Sequence, residues 1–202
     1  MQKRKIGIYG GTFSPPHSGH VGAAESFCRE LSLDELIIMP TFLPPHKQYD
    51  GEASAEDRVE MCKLAFGHID KVRVSDLEIK RGGKSYTAVT LEELYSDGAE
   101  LYFLCGTDMF VTIDKWYTFE KIFNLAVICY VRREDEYGLG ELIKTKVQEY
   151  TQKYNAKIIG IPSDVREISS SEIRNGIKNK ADLSELVPRK VYDYIIEKGL
   201  YR

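Results

Sequence analysis

Six short runs of apolar, β-branched and aromatic residues recur along the chain: Ile6–Tyr9, Leu36–Met39, Val72–Val74, Leu101–Cys105, Ala126–Val131 and Lys157–Ile161. Most are separated by stretches in which apolar residues return at helical spacing, namely Val21–Leu31, Val59–Phe66, Ala88–Tyr95 and Leu139–Tyr154. Strands joined through helices must run parallel, because a helical crossover returns the chain to the same end of the sheet. The alternation therefore predicts an α/β fold, a doubly wound parallel sheet covered by helices on both faces. Ligands of such sheets bind beyond the carboxyl ends of the strands, near the point where strand order reverses. Residues just past each apolar run are thus the first candidates for chemistry.

The chain has 202 residues with 43% hydrophobic content, enough for one buried core and short for two. No repeat or Pro/Ser-rich linker divides it, so residues 1–202 read as a single domain. Its last part, about 169–202, reads as a small helical region from Ser170 to Ile196, with Gly176 expected as a stop, Pro188 near a new start and Gly199 as the closing cap. The loop Thr41 to Glu52 is long, carries Pro44, Pro45 and Gly51, and suits a lid.

A net charge of −3 and a pI near 5.9 argue against nucleic-acid and membrane-surface partners. Anion recognition must then come from individually placed cations, with Lys47, Arg132, Arg133 and Arg174 as candidates. The longest apolar run, Leu125 to Val131, falls far short of the ~20 residues that span a bilayer. The segment behind the basic Met1–Lys5 is too short for a signal-peptide core. Cys28, Cys62, Cys105 and Cys129 show no CxxC spacing and read as buried thiols of a cytoplasmic protein. Oligomeric state is left open, a homo-oligomer included.

Directly after the first apolar run comes GGTFSPPHSGH, Gly10 to His20. Two glycines let the backbone approach a ligand without Cβ clashes, and Pro15 and Pro16 keep the chain extended. Ser18 is a natural N-cap for the helix that follows, which puts His20 in a first turn where unpaired N–H groups attract anions. His17 and His20 would flank such an anion. The pair could instead be half of a metal site, but no carboxylate or cysteine stands nearby to complete it. Solvated loop histidines are the other alternative, although three of the chain's four histidines lie in this loop or the next strand-end loop.

GGTFSPPHSGH resembles the GTFDPxHxGH signature of the HxGH nucleotidyltransferases. Further motifs, Pro44-Pro45-His46-Lys47, Ser85-Tyr86-Thr87, Gly106-Thr107-Asp108, Lys115-Trp116-Tyr117, Arg132-Arg133 and Ile168 to Arg174, make the chain similar from end to end to the bacterial nicotinate-nucleotide adenylyltransferases. The resemblance implies a Rossmann-like fold and transfer of AMP from ATP to nicotinate mononucleotide, giving nicotinate adenine dinucleotide and pyrophosphate. It assigns catalysis to His17, His20, Lys47 and Arg174. ATP would be held by Gly10, Gly11, Thr12, Phe13, Gly106, Asp108, Ile168, Ser170 and Ser171. The acceptor would be held by His46, Ser85, Tyr86, Thr87, Trp116, Tyr117 and Arg133. Mg²⁺ would arrive with ATP, since no carboxylate cluster suggests a protein-built cage and no residue is assigned as a metal ligand.

Plainer roles stand beside these. Ser169-x-x-Glu172 is a capping box, Asp108 and Thr87 can serve as caps, and a lone tryptophan such as Trp116 is usually part of a core. In the implied roles, Asp108 accepts from the ribose hydroxyls, the helix start at Ser85–Thr87 receives the nicotinate carboxylate, and Trp116 stacks on the cationic pyridine ring. Two departures from the family pattern stand out: Ser14 replaces the usual Asp, and Glu134-Asp135 follow the arginine pair where Pro-Gly is common.

Overall fold

The computed structural model describes residues 3–45, 52–96, 98–132, 140–163 and 168–202. Six parallel strands form one sheet: β1 (Arg4–Gly11), β2 (Glu35–Pro40), β3 (Val72–Val74), β4 (Ala99–Cys105), β5 (Ala126–Arg132) and β6 (Ile158–Pro162). Their order is β3-β2-β1-β4-β5-β6. The chain winds outward from β1 to β3, crosses back beside β1 with β4, and continues to the opposite edge. The reversal lies between β1 and β4, where Tyr9 pairs with Leu104. The crevice beyond those two strand ends is the place such a sheet offers a ligand.

Side chains that alternate along β4 separate two cores. Leu101, Phe103 and Cys105 join Ile8, Ile128, Phe110 and Tyr150 on one face, while Tyr102 and Leu104 join Tyr9, Ile38, Phe27 and Phe66 on the other. Helix α1 (Ser18–Leu31) packs so closely on β1 that a Cβ at Gly7 would come within 2.5 Å of Leu33 and 2.8 Å of Phe27. Any side chain there would push the helix off the sheet. Helices α2 (Ala55–Phe66) and α9 (Arg189–Lys198) join the same face, tied by the Tyr194 hydroxyl donating to Asp57 at 2.9 Å. The opposite face is covered by α4 (Thr87–Leu94), α6 (Phe119–Leu125) and α7 (Gly140–Tyr154).

Several expectations shift. β1 runs on to Gly11, so Gly10 and Gly11 end the strand, opposite Met39 and Pro40, instead of opening the loop. Helices α3 (Leu77–Arg81), α5 (Thr107–Phe110) and α6, with a 3-10 turn at Ile113–Lys115, are too short to display a helical period in sequence. Gly176 does not stop its helix: α8 (Ser170–Lys178) continues through it to a C-cap at Asn179. The glycine serves packing there, because a Cβ would lie 2.7 Å from Leu183, which folds back over the helix end. Pro188 does precede α9, and Gly199 closes it in the left-handed conformation at φ 66°. Cys62, Cys105 and Cys129 are buried, whereas Cys28 is only half-buried; all four are free thiols.

Candidate active site

Where β1 ends, the chain turns sharply through Phe13, whose φ of 49° is left-handed. The Phe13 ring is buried and meets Tyr9, Phe66 and His20 edge-on, with centroids 5.5, 5.7 and 5.1 Å away. It is a core residue, so what it offers a nucleotide is backbone. The Ser14–Pro15 peptide is cis, a departure from the plain extended path expected for the two prolines.

His17, not Ser18, caps α1. Its Nδ1 accepts from the His20 backbone N–H at 3.3 Å, and the His20 Nδ1 accepts from the His17 backbone N–H at 3.2 Å. The box usually built by Ser and Glu is here built by two imidazoles, which stack with centroids 3.6 Å apart and planes 27° apart. Acceptance at Nδ1 places the proton of each neutral ring on Nε2. Both side chains are thereby held in one tautomer, each with Nε2–H as its donor, at a helix N-terminus that favours negative charge.

The C-terminal helices close over this loop from far away in sequence. Arg174 on α8 donates to the Ser14 carbonyl at 2.9 Å and to Ser171 Oγ at 3.2 Å, and the Ser170 hydroxyl donates to the Pro15 carbonyl at 2.9 Å. Ser169 caps α8 by accepting from the Glu172 N–H at 3.1 Å. Ser18 N–H donates to the Leu186 carbonyl at 2.9 Å, and Ser14 and Tyr201 hydroxyls meet at 2.9 Å. His17, His20, Ser170, Ser171 and Arg174 are thus assembled at one strand end, with the buried Ile168 just before them. Glu52 adds an ion pair to Arg174 Nε at 3.4 Å and to Lys178 at 2.5 Å.

At the end of β4, Gly106 caps α5 and the exposed Asp108 lies in its first turn, so Asp108 is not the cap. Its Oδ1 would be 2.7 Å from a Cβ at position 106, so the residue before the helix must be glycine for that carboxylate to sit where it does.

The Ser85-Tyr86-Thr87 and Lys115-Trp116-Tyr117 motifs also come together. The Tyr86 and Tyr117 rings lie 4.5 Å apart, with Tyr117 56% exposed. Trp116, half-buried, sets its edge against Phe103 at 6.1 Å. Tyr86 occupies the N-cap position of α4 and Thr87 is its first residue, so Thr87 is not a cap. Ser85 is buried; its Oγ accepts from the Phe42 N–H and its N–H donates to the Leu43 carbonyl, both at 2.9 Å. His46, Lys47 and Arg133 lie outside the described residues, as do Glu134 and Asp135.

Residues that the motifs did not announce support these segments. Asp114, in the 3-10 turn before Trp116, accepts from Lys146 at 2.7 Å and from the Tyr150 hydroxyl at 3.1 Å. Burial alone would raise its pKa, but those two bonds outweigh it and hold the carboxyl below its ordinary range. Glu78, on α3, is buried beside Thr90 and Arg81, and burial pushes its carboxyl up despite the hydrogen bonds from Thr90 and Ser85. Arg58, on α2, is buried among backbone carbonyls. A sequence signal for it existed: Arg58 sits on the helical stripe of Met61, Cys62 and Ala65, where a cation needs a reason.

The cytidylyltransferase-like family model matches residues 8–176. A Staphylococcus haemolyticus protein named "Probable nicotinate-nucleotide adenylyltransferase" is 34% identical over all of this chain and 98% of its own length. A Clostridium botulinum protein of the same name is 38% identical over 98% of each. In three dimensions the chain is similar to Plasmodium falciparum nicotinic acid mononucleotide adenylyltransferase complexed with NaAD, at a TM-score of 0.77 and 22% identity over 98% of this chain and 97% of that one. The loop joining β1 to α1, with the helices folded over it, is therefore that of a nucleotidyltransferase, and the chain belongs to the cytidylyltransferase-like family and, within it, to the nicotinate-nucleotide adenylyltransferases.

Proposed function

We infer that the chain transfers AMP from ATP to nicotinate mononucleotide, releasing pyrophosphate and forming nicotinate adenine dinucleotide, a step of NAD biosynthesis. The observation that carries the mechanism is the reciprocal capping of His17 and His20, which presents two Nε2–H donors of fixed tautomer at a helix N-terminus. A phosphate oxygen of the acceptor attacks the α-phosphorus of ATP, a new P–O–P bond forms, and the bond to the β-phosphate breaks with its electron pair leaving on pyrophosphate. The acceptor phosphate is already a sufficient nucleophile. The protein's task is to align the two phosphates and to stabilise the charge that spreads over them.

In this reading His17 and His20 donate to the ATP phosphates, with Arg174 and the first-turn Ser170 and Ser171 alongside. Gly10, Gly11, Thr12 and the backbone of Phe13 and Ile168 line the nucleotide. Asp108 accepts from the ribose hydroxyls next to Gly106. The start of α4 at Ser85, Tyr86 and Thr87 receives the nicotinate carboxylate, and Trp116 and Tyr117 face the cationic pyridine. His46, Lys47 and Arg133 are assigned to the acceptor and its phosphate on residue type and motif position. Mg²⁺ is read as entering on the triphosphate, whose charge it would neutralise. Among the described residues no helix is long and apolar enough to cross a membrane. Four free thiols suit a reducing cytoplasm.

Chromatography of the products from ATP, Mg²⁺ and one acceptor at a time tests the reading. Pyrophosphate together with nicotinate adenine dinucleotide is expected. Turnover only with an unrelated phosphate acceptor such as phosphopantetheine would contradict it.

A further inference from the structure

Arg58 is 1% exposed and is the largest fully buried side chain among the described residues, yet it stands on none of the motif positions. Its guanidinium fork donates to the carbonyls of Thr12 at 2.9 Å and Thr41 at 2.6 Å through one nitrogen, and to that of Phe42 at 3.3 Å through the other. These carbonyls belong to two different strand ends. Thr12 follows β1 and continues Gly10–Gly11, whereas Thr41 and Phe42 follow β2. The strands themselves bond once more at this level, Thr41 N–H to the Gly11 carbonyl at 2.9 Å, and beyond that the two segments diverge.

The second segment leads on to the acceptor side. Phe42 N–H is held by Ser85 Oγ, and the Leu43 carbonyl by Ser85 N–H, so the position of Ser85-Tyr86-Thr87 is read from the Phe42–Leu43 backbone. One guanidinium therefore sits between the segment assigned to ATP and the backbone that positions the segment assigned to nicotinate mononucleotide. Removing a buried charge from water is costly, and a hydrophobic side chain of similar volume would fill this place on α2 without that cost. What a methionine or leucine could not do is bond carbonyls of two loops at once, and a lysine, a point donor, cannot reproduce the fork.

We propose that Arg58 is a positioning residue for the adenylyl transfer, fixing the separation between the ATP-binding segment at Gly10–Phe13 and the acceptor-binding segment at Ser85–Thr87. This rests on the assignment of those two segments to the two substrates. Arg58 bonds only the carbonyls of Thr12, Thr41 and Phe42, and the other contacts assigned to each substrate, such as Asp108 and Arg174 for ATP and Trp116 and Tyr117 for the acceptor, lie outside that set, so binding of either alone is largely independent of Arg58. In-line attack depends on both together, and a displacement of about 1 Å between reacting groups lowers rate by roughly 10²-fold.

The test compares wild type with Arg58→Lys and Arg58→Met in steady-state kinetics well below their melting temperatures, alongside equilibrium binding of ATP alone. In Arg58→Lys, kcat is expected to fall by about 10²-fold, while the KM values and the dissociation constant for ATP alone change by no more than about 3-fold, roughly 0.7 kcal/mol. Arg58→Met, if it folds, should show the same split. A folded Arg58→Lys enzyme with a lowered melting temperature but kcat within about 2-fold of wild type, a small fraction of the expected change, would overturn the proposal and leave Arg58 as a purely structural residue. Failure of the underlying substrate assignment would look different, because wild type itself would then form no dinucleotide from ATP and nicotinate mononucleotide.

Discussion

The hydroxyl of Ser14 lies 2.9 Å from the hydroxyl of Tyr201, joining the loop between β1 and α1 to Tyr201 inside the protein. Ser14 stands where the signature that this loop resembles has Asp, and its hydroxyl is paired with a neutral partner. Together with Arg174 on the Ser14 carbonyl and Ser170 on the Pro15 carbonyl, this pair makes the loop's shape depend on the C-terminal helices. Tyr201→Phe leaves the buried Ser14 hydroxyl without this partner and should cost about 1–3 kcal/mol of stability. Urea unfolding of the variant beside wild type measures it; an unchanged midpoint would remove the pair from the account.

His20 serves the fold and, in the proposed reading, the chemistry, and the two contributions differ in size. His20→Ala removes the acceptor of the His17 N–H, one half of the capping box, at a cost of ~0.5–1.5 kcal/mol of stability. Loss of a donor aimed at developing charge costs ~10²–10³ in kcat. His20→Ala should therefore fold with a modestly lowered melting temperature and lose most of its turnover. Unchanged kcat at a temperature where the variant is folded would mean that His20 only completes the capping box of α1.

The alternation of strands and helices was readable because buried parallel strands are nearly continuous in apolar residues, as in Leu101–Cys105 and Ala126–Val131. The glycine-to-histidine loop was readable for a similar reason: few structures need two glycines, two prolines and two histidines in that order. What escaped was tertiary. Histidine is an unusual N-cap, so the sequence favours Ser18, and only the folded loop lets the two imidazoles satisfy each other's backbone N–H groups. Gly176 looked like a stop because its packing partner, Leu183, is seven residues away and beyond the helix. Arg58, Asp114 and Tyr201 act through partners 16 to 187 residues distant, and no local pattern encodes those.

Trp116 contacts the core edge at Phe103 and is half-exposed, so truncation separates two roles. If its indole faces the pyridinium, Trp116→Ala forfeits roughly 0.5–2 kcal/mol of cation–π attraction, seen as a several-fold rise in KM for nicotinate mononucleotide. The KM for ATP should stay near its wild-type value, and Trp116→Phe should recover part of the loss. A drop of ~3–5 kcal/mol in stability with unaltered KM would identify a core residue instead.

The turn that carries Trp116 is pinned by Asp114, whose pKa is depressed in the folded state by bonds from Lys146 and Tyr150 that outweigh its burial. A depressed carboxylate stabilises fully above its unfolded value, about 3.9, and that contribution is lost as pH falls through the folded value. Asp114→Asn should therefore be less stable than wild type by about 1–2 kcal/mol at pH 7. The difference should shrink as pH falls below the unfolded value of about 3.9 and go on shrinking as pH passes through the folded value. Thermal melts of both proteins across that range check the sign, and a gap that widens on acidification would contradict it.

In the proposed reading, the site built on α4 and the Tyr86–Tyr117 pair takes an acid and not its amide. A carboxylate gains charge-assisted hydrogen bonds, worth about 1.5–3 kcal/mol each, from N–H groups at a helix start, and a neutral amide gains less. The direct measurement is kcat/KM for nicotinate mononucleotide and for nicotinamide mononucleotide under the same saturating ATP and Mg²⁺. A preference for the acid of at least ~10-fold is expected, the equivalent of one such bond. Equal values for the two acceptors, or a preference for the amide, would contradict it.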